Sequence, residues 1–280
     1  MAADPLVGLV ARALRTDVEA ISVERLAATP LAEVDRIVWR GPSGEGRLLF
    51  RRFRREASVE AALLPLLARR GLPVETVLAS GIPPRHAPEQ RPWLLSVEPE
   101  GIELCRGQVE DARRAASALR AIHEGMRNEL PLLRALGVPE LTPATLRDEA
   151  IAATALLSGE DAERLRALVA ATGAEQAGPL SLVHGAAACD RVLVQGERVI
   201  VLDWSRAHIG SPLEDVGALV GSLEGDVGRA ALEGLGVAPE RVPDAERLHR
   251  LAAVRWHAWE AREGIRPLRD AAAAMAAALP

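Results

Sequence analysis

The residues best able to do chemistry lie between Leu182 and Trp204, in the run LVHGAAACDRVLVQGERVIVLDW. It reads as a loop, a strand, a turn through Gly196 and a second strand that ends on Asp203. Asp203 offers a hard carboxylate oxygen of the kind that binds a divalent metal. Arg191 cannot ligate metal, but its guanidinium fork can lie on phosphate oxygens. Two roles are therefore open to Asp203: a metal ligand, or a carboxylate neutralised by a salt bridge to Arg191. Asp190 reads first as a turn or cap residue, and less readily as a candidate base for an acceptor hydroxyl. His184 reads as a packed, hydrogen-bonded residue and as a less favoured catalytic candidate. Cys189 lies near His184 in sequence, but no third orienting group is evident, so it reads as a small packing residue.

The elements that must position these residues fall into two parts. An amphipathic start (Leu6, Val7, Leu9, Val10, Ala13, Leu14) precedes three strand-like segments, AISVERLA, AEVDRIVWR and RLLFRRF, the last two joined by the turn GPSGEG. SVEAALLPLLARR has helical spacing, Gly71 to Pro73 stop it, and TVLAS and PWLLSVE read as further strands. Pro99 to Gly101 mark a crossover, so an N-terminal β-rich part is expected over 1–99 and a C-terminal part over 100–280. Beyond the crossover, helical patterns run over Val109–Met126, Leu146–Leu157, Asp161–Ala171, Leu213–Leu223, Asp244–Glu263 and a final Ala-rich stretch. The fold class implied is α+β.

Composition excludes several kinds of function. The chain has 280 residues, 49% of them apolar, enough for a full core. A net charge of −5 with mixed signs argues against nucleic acid, and only Arg51, Arg52, Arg54 and Arg55 are locally basic. The start MAADPLV has no basic stretch ahead of an apolar run, and AAAAMAAAL is far shorter than the roughly 20 residues of a spanning helix, so no membrane partner and a cytoplasmic location are expected. With Cys105 and Cys189 alone, no dependence on a disulfide is expected. Lysine is absent altogether, which removes Schiff-base and Walker-lysine chemistry, and Asn128 is the one asparagine. His249 and His257 lack metal-ligand spacing, and Trp256 with Trp259 reads as a core or pocket-wall stripe. GPSGEG is a hairpin turn, because no lysine or helix follows it to make a phosphate loop.

In order and spacing, these motifs resemble the aminoglycoside phosphotransferase and choline kinase-like family, whose members carry His-Gly-Asp, four residues, Asn or Gln, a Val-Leu-Val strand and then Asp-Trp or Asp-Phe. His184 and Gly185 match; the base position is Ala186, the Asn position is Arg191 and the metal Asp is Asp203. The resemblance implies a bilobal protein kinase-like fold, with a small mixed sheet carrying one main helix and a larger, mostly helical lobe. It also places Arg51 where the family's phosphate-holding lysine stands, with Arg52 on the opposite strand face and Glu60 as the partner of Arg51. PWLLSVEPEG, with Glu98, looks like the lobe-connecting segment that meets the nucleotide. His123 in SALRAIHEG resembles the residue packed under the catalytic loop, and Gly210, Pro212 and Asp215 match the positions after the metal Asp. LAATPLAE, where a nucleotide-covering turn is expected, lacks glycine.

ATP and Mg2+ are the cofactors this resemblance implies. Ala186 supplies no base, a contribution of roughly 10²- to 10⁴-fold in rate, and Arg191 removes one metal ligand. Two functions follow: a catalytically impaired kinase-fold protein that binds a nucleotide, a small-molecule ligand, a peptide or a partner protein; or an active ATP-dependent phosphotransferase on a small-molecule or peptide hydroxyl, with Asp190 as a non-standard base.

Overall fold

The computed structural model describes residues 5–54, 59–84, 90–173 and 178–280. Arg55 of the basic cluster, Ser58 at the start of the SVEAALL helix pattern and the first four residues of MAADPLV lie outside them. By backbone contacts the chain forms two units, Met1–Glu100 and Gly101–Pro280.

The first unit runs α1 (Pro5–Leu14), β1 (Ala20–Ala28), β2 (Ala32–Gly41), β3 (Gly44–Phe53), α2 (Val59–Arg69), β4 (Val77–Gly81) and β5 (Trp93–Val97). Its five-stranded sheet has the order β1-β2-β3-β5-β4, with every neighbouring pair antiparallel. A mixed sheet was expected. The helical crossover from β3 to β4 does make those two strands co-directional, but it leaves a slot between them that β5 fills in the opposite sense. The amphipathic α1 buries Val10 and sets Leu6, Leu9, Ala13 and Leu14 against Ile37, Leu48 and Leu95 of the sheet.

The second unit runs β6 (Ile102–Glu103), α3 (Val109–Met126), α4 (Leu130–Ala135), α5 (Pro143–Ala153), α6 (Gly159–Ala171), β7 (Ser181–Val183), β8 (Val192–Gln195), β9 (Arg198–Val201), β10 (His208–Gly210), α7 (Leu213–Gly221), α8 (Gly225–Leu235), α9 (Val242–Arg262) and α10 (Leu268–Ala277). Local chemistry sets several boundaries. The Asp111 carboxylate accepts from the Gln108 amide at 2.9 Å to close a capping box at the start of α3. The Thr142 hydroxyl caps α5 ahead of Pro143. Helix α5 stops at Ala153, short of the Leu157 expected, and a 3₁₀ turn over Thr154–Leu156 completes the segment. Helix α8 was not expected. Gly234 is there for close approach: a Cβ on it would stand 2.6 Å from the Arg113 carbonyl of α3.

Two buried clusters carry this unit. One joins α3, α7 and α8 to the β8–β9 hairpin through Leu119, Val192, Leu219 and Leu235; the other joins α5, α6, α9 and α10 through Leu165, Leu251, Val254 and Met275. Among the described residues no helix is long and apolar enough to cross a membrane.

The cysteines correct the sequence reading, since Cys105 and Cys189 form a disulfide across a Cα separation of 4.9 Å. Strands β6 and β8 pair antiparallel, with Ile102 opposite Val194 and Glu103 opposite Leu193. The residues just after β6 and just before β8 are thereby brought together. The bond closes a span of 84 residues. On chain entropy, such a loop corresponds to about 4.5 kcal/mol of stabilisation. Urea unfolding with and without a phosphine reductant checks this: reduction is expected to lower stability by about that amount, and an unchanged midpoint would count against the bond.

Candidate functional site

In the second unit the site begins with one buried carboxylate. Asp215, in the first turn of α7, is fully buried; its Oδ2 accepts from the His184 amide at 2.8 Å and its Oδ1 from the Gly185 amide at 2.9 Å. His123 Nε2 of α3 also lies 2.8 Å from Oδ2. Burial works against ionisation of Asp215, but the His123 contact and the His184 amide outweigh it, so its pKa lies below the ordinary carboxylate value. Gly185 sits at φ +80°, and a Cβ there would meet the Arg206 carbonyl at 2.6 Å; only glycine fits this turn.

His184 is buried and held on both ring nitrogens. Its Nε2 lies 2.7 Å from the Leu202 carbonyl, the Ala186 amide donates to its Nδ1 at 3.2 Å, and its ring meets Trp204 edge-on at 4.8 Å. Burial depresses its pKa, in keeping with a neutral ring that donates from Nε2 and accepts at Nδ1. Ala186, at the expected base position, follows directly and presents a methyl group.

The chain then turns through Cys189–Arg191 into β8. The ladder pairing Val192 with Val201 extends one step further, the Leu202 amide donating to the Arg191 carbonyl at 2.8 Å. That extension brings Arg191 beside Asp203. Arg191 Nε lies 3.5 Å from Asp203 Oδ2 and 3.8 Å from Asp190 Oδ2. The opposite charges meet as the sequence suggests, but as ion pairs longer than the roughly 2.8 Å of a charge-assisted hydrogen bond. Asp203 adopts a left-handed conformation at φ 59°, unusual for a residue with a side chain, and its Oδ1 accepts from the Ser205 hydroxyl at 2.7 Å. Its pKa is lowered: burial opposes ionisation, but the Ser205 bond and then the Arg191 charge overcome it. Asp190 is exposed on the outside of the turn.

A magnesium site of two protein oxygens does not fit this arrangement, because a cation stands where the second oxygen would come from. Among the described residues no group of three or more His, Cys, Asp or Glu side chains is placed to hold a metal. Beside the loop, a cavity of about 360 Å³ is bounded by Ala188, Gly217 and Gly221 on one side and by Glu246, His249 and Arg250 on the other. His249, which lacks metal-ligand spacing in the sequence, lines this cavity, and burial lowers its pKa.

In the first unit the expected Arg51–Glu60 pair is present, with Nη1 2.5 Å from Oε1. It is one part of a larger buried cluster. Arg51 Nη2 also binds Glu75 and donates to Ser96 Oγ at 3.2 Å, and the Ser96 hydroxyl donates to Glu75 at 2.6 Å. Three of the five guanidinium donors are thus engaged within the unit. Glu75 escaped the sequence reading; the signal was a charged residue inside the otherwise apolar pattern around Val74. Arg52 pairs with Glu33 and Asp35 on the other strand face. The Glu98 carboxylate is held by Arg36 at 2.7 Å and faces Arg47 at 3.7 Å, which commits its side chain to β2 and β3.

This geometry agrees with the comparisons to known proteins. A model described as the phosphotransferase enzyme family matches residues 29–252. The chain belongs to that family. Among solved structures, the family member described here is similar to macrolide 2'-phosphotransferase MphH from Brachybacterium faecium, at 22% identity and TM-score 0.70 over 97% of this chain and 98% of that one. It is also similar to aminoglycoside 2'-phosphotransferase-IIIa in its GDP complex, at 15% identity and TM-score 0.63 over 98% of each chain. Choline kinase LicA from Streptococcus pneumoniae aligns at 16% identity and TM-score 0.59, over 91% of this chain and 94% of that one. At these identities the likeness is one of fold. No curated protein matches the sequence.

Asp215→Ala would leave the His184 and Gly185 amides and the His123 ring without their acceptor, a loss of about 3–5 kcal/mol at neutral pH. Because the folded-state pKa of Asp215 is lowered, its contribution is fully present above the unfolded carboxylate value and is lost as pH falls through the folded one. Urea titrations across pH are therefore expected to show a wild-type advantage that is constant above about pH 4 and shrinks below it. An advantage that grows on acidification would contradict the assignment.

Proposed function

We propose that this member of the phosphotransferase family binds a nucleotide, ATP by family resemblance, or another small oxyanionic ligand, and that it has lost ordinary phosphoryl transfer. The observation that carries the reading is the approach of Arg191 to Asp203 at 3.5 Å, in a loop whose base position is Ala186. A guanidinium binds phosphate oxygens through a planar fork, whereas it has no lone pair to offer magnesium. The loop thus keeps a means of neutralising phosphate charge while lacking the group that would draw a proton from an acceptor hydroxyl.

The relative solved with GDP supports a nucleotide as the ligand class. The cavity of about 360 Å³ beside Ala188 falls within the size range of small-molecule sites, which supports a small ligand over a macromolecular one.

A second reading, active transfer with Asp190 as base, is favoured by one fact: the Asp190 side chain is 53% exposed and its ion pair with Arg191 is long, at 3.8 Å. The two readings separate in a transfer assay with ATP and magnesium, using an aminoglycoside, a macrolide and choline as acceptors. No transfer above the enzyme-free rate is expected, given the missing contribution of roughly 10²- to 10⁴-fold. Turnover abolished by Asp190→Asn would overturn the binding-only reading in favour of a displaced base. Turnover that survives Asp190→Asn but is lost in Asp203→Ala would overturn it in favour of transfer assisted by the substrate itself.

A further inference from the structure

Three residues beyond Asp203, Arg206 is built differently from most of the arginines around it. Its backbone is fixed on two sides. The Arg206 carbonyl lies 2.9 Å from His208 Nδ1, and it sits so close beneath Gly185 that a Cβ there would come within 2.6 Å. Its guanidinium lies over the Trp256 ring of α9, 4.8 Å from the centroid, and Trp256 is itself backed by Trp259 at 4.8 Å. The cation is therefore rooted under the catalytic-type loop and held against an aromatic wall.

Among the described residues, that guanidinium makes no hydrogen bond or ion pair. The two nearby carboxylates are engaged elsewhere. Asp203 accepts from Ser205 at 2.7 Å and faces Arg191 at 3.5 Å. Glu260 Oε2 is shared by Arg266 Nε and His257 Nδ1, both at 2.9 Å. Burial lowers the pKa of Arg206 despite the fields of Glu260 and Asp203, as expected of a partly desolvated cation whose neighbours do not compensate it. Its charge also reaches the cavity, adding to the burial that lowers the pKa of His249 in the lining.

A half-buried guanidinium with five free donors, fixed at its root and placed over a ring, is preorganised for a planar or tetrahedral oxyanion. We propose that Arg206, supported by Trp256, is an anion-binding fork that takes a phosphate or carboxylate group of a ligand in the helical unit. This rests on the reading of the chain as an oxyanion-binding family member and narrows it. The ligand presents an acidic group to Arg206, so a polycation is a poor match for this end of the site.

The test uses the full chain and inorganic phosphate as probe, titrated at constant ionic strength without nucleotide while tryptophan fluorescence reports on Trp256. A saturable change is expected. Arg206→Met, which keeps an aliphatic contact with the ring and removes every donor, is expected to weaken phosphate binding by about tenfold or more. Arg206→Lys keeps the charge without the fork and is expected to fall between the two, which guards against a variant that simply misfolds. Phosphate binding that persists at saturating ADP supports the fork and assigns it to an acidic group on a second ligand. Phosphate excluded by ADP supports it and assigns the fork to the nucleotide's own phosphates. Phosphate binding without any ADP binding would sink the nucleotide reading while leaving the fork in place. No saturable phosphate binding by about 10 mM, or equal binding by wild type and Arg206→Met, would overturn the proposal and leave Arg206 as a packing residue.

Discussion

The buried carboxylate of Asp215 is the constraint on which the second unit depends. It receives the amides of His184 and Gly185 and faces the imidazole of His123, so one side chain ties the start of α7, the loop after β7 and helix α3 to a common point. A buried carboxylate is tolerated only when its lone pairs are met by donors, and each donor here comes from an element that would otherwise leave a polar group unpaired. The position of Ala186 follows from that anchoring, because the loop leaves Gly185 in a left-handed turn with no room for a side chain. The loop keeps its shape although the base has gone from it. Its conformation is held from beneath by Asp215, Trp204 and Leu202, and none of those contacts involves residue 186.

What has changed is the charge above that frame. In a metal-dependent transferase the loop and the following strand would each offer an oxygen to a divalent cation. Here the same backbone pairing brings a guanidinium to the carboxylate. Asp203 retains a strained, left-handed backbone and a lowered pKa, features that cluster at functional sites. The disulfide of Cys105 and Cys189 fixes the turn immediately ahead of Asp190 and Arg191 and adds a covalent restraint to the hydrogen-bonded one. On the function proposed above, a loop pinned by hydrogen bonds and a disulfide, two arginines and alanine at residue 186 describe a site organised to hold negative charge.

How far the sequence disclosed this depended on the range of each interaction. The amphipathic start, the β2–β3 hairpin and the long helices α3 and α9 were legible because their apolar residues repeat at fixed local periods. The changed positions at Ala186 and Arg191, and the matching one at Asp203, were legible because motif spacing is also local. Glu75 was not, since its partners Arg51 and Ser96 are 24 and 21 residues away and meet it only once the sheet is assembled. The disulfide depended on pairing between β6 and β8 across 84 residues, and β6 is a strand of two residues that no periodicity can reveal. Helix α8 was hidden for another reason: its Gly234 serves packing against α3, and an inter-helix contact leaves no local trace.

The claim that a guanidinium has replaced a metal ligand is tested most directly by calorimetric titration of ATP, with and without magnesium, into the wild type, Arg191→Asn and Arg191→Ala. If Arg191 competes with metal for the Asp203 carboxylate, magnesium changes wild-type affinity little, Arg191→Asn gains magnesium-dependent binding, and Arg191→Ala at least relieves the competition. If both substitutions instead abolish ATP binding, Arg191 is itself the phosphate clamp, and its pairing with Asp203 does not govern the site.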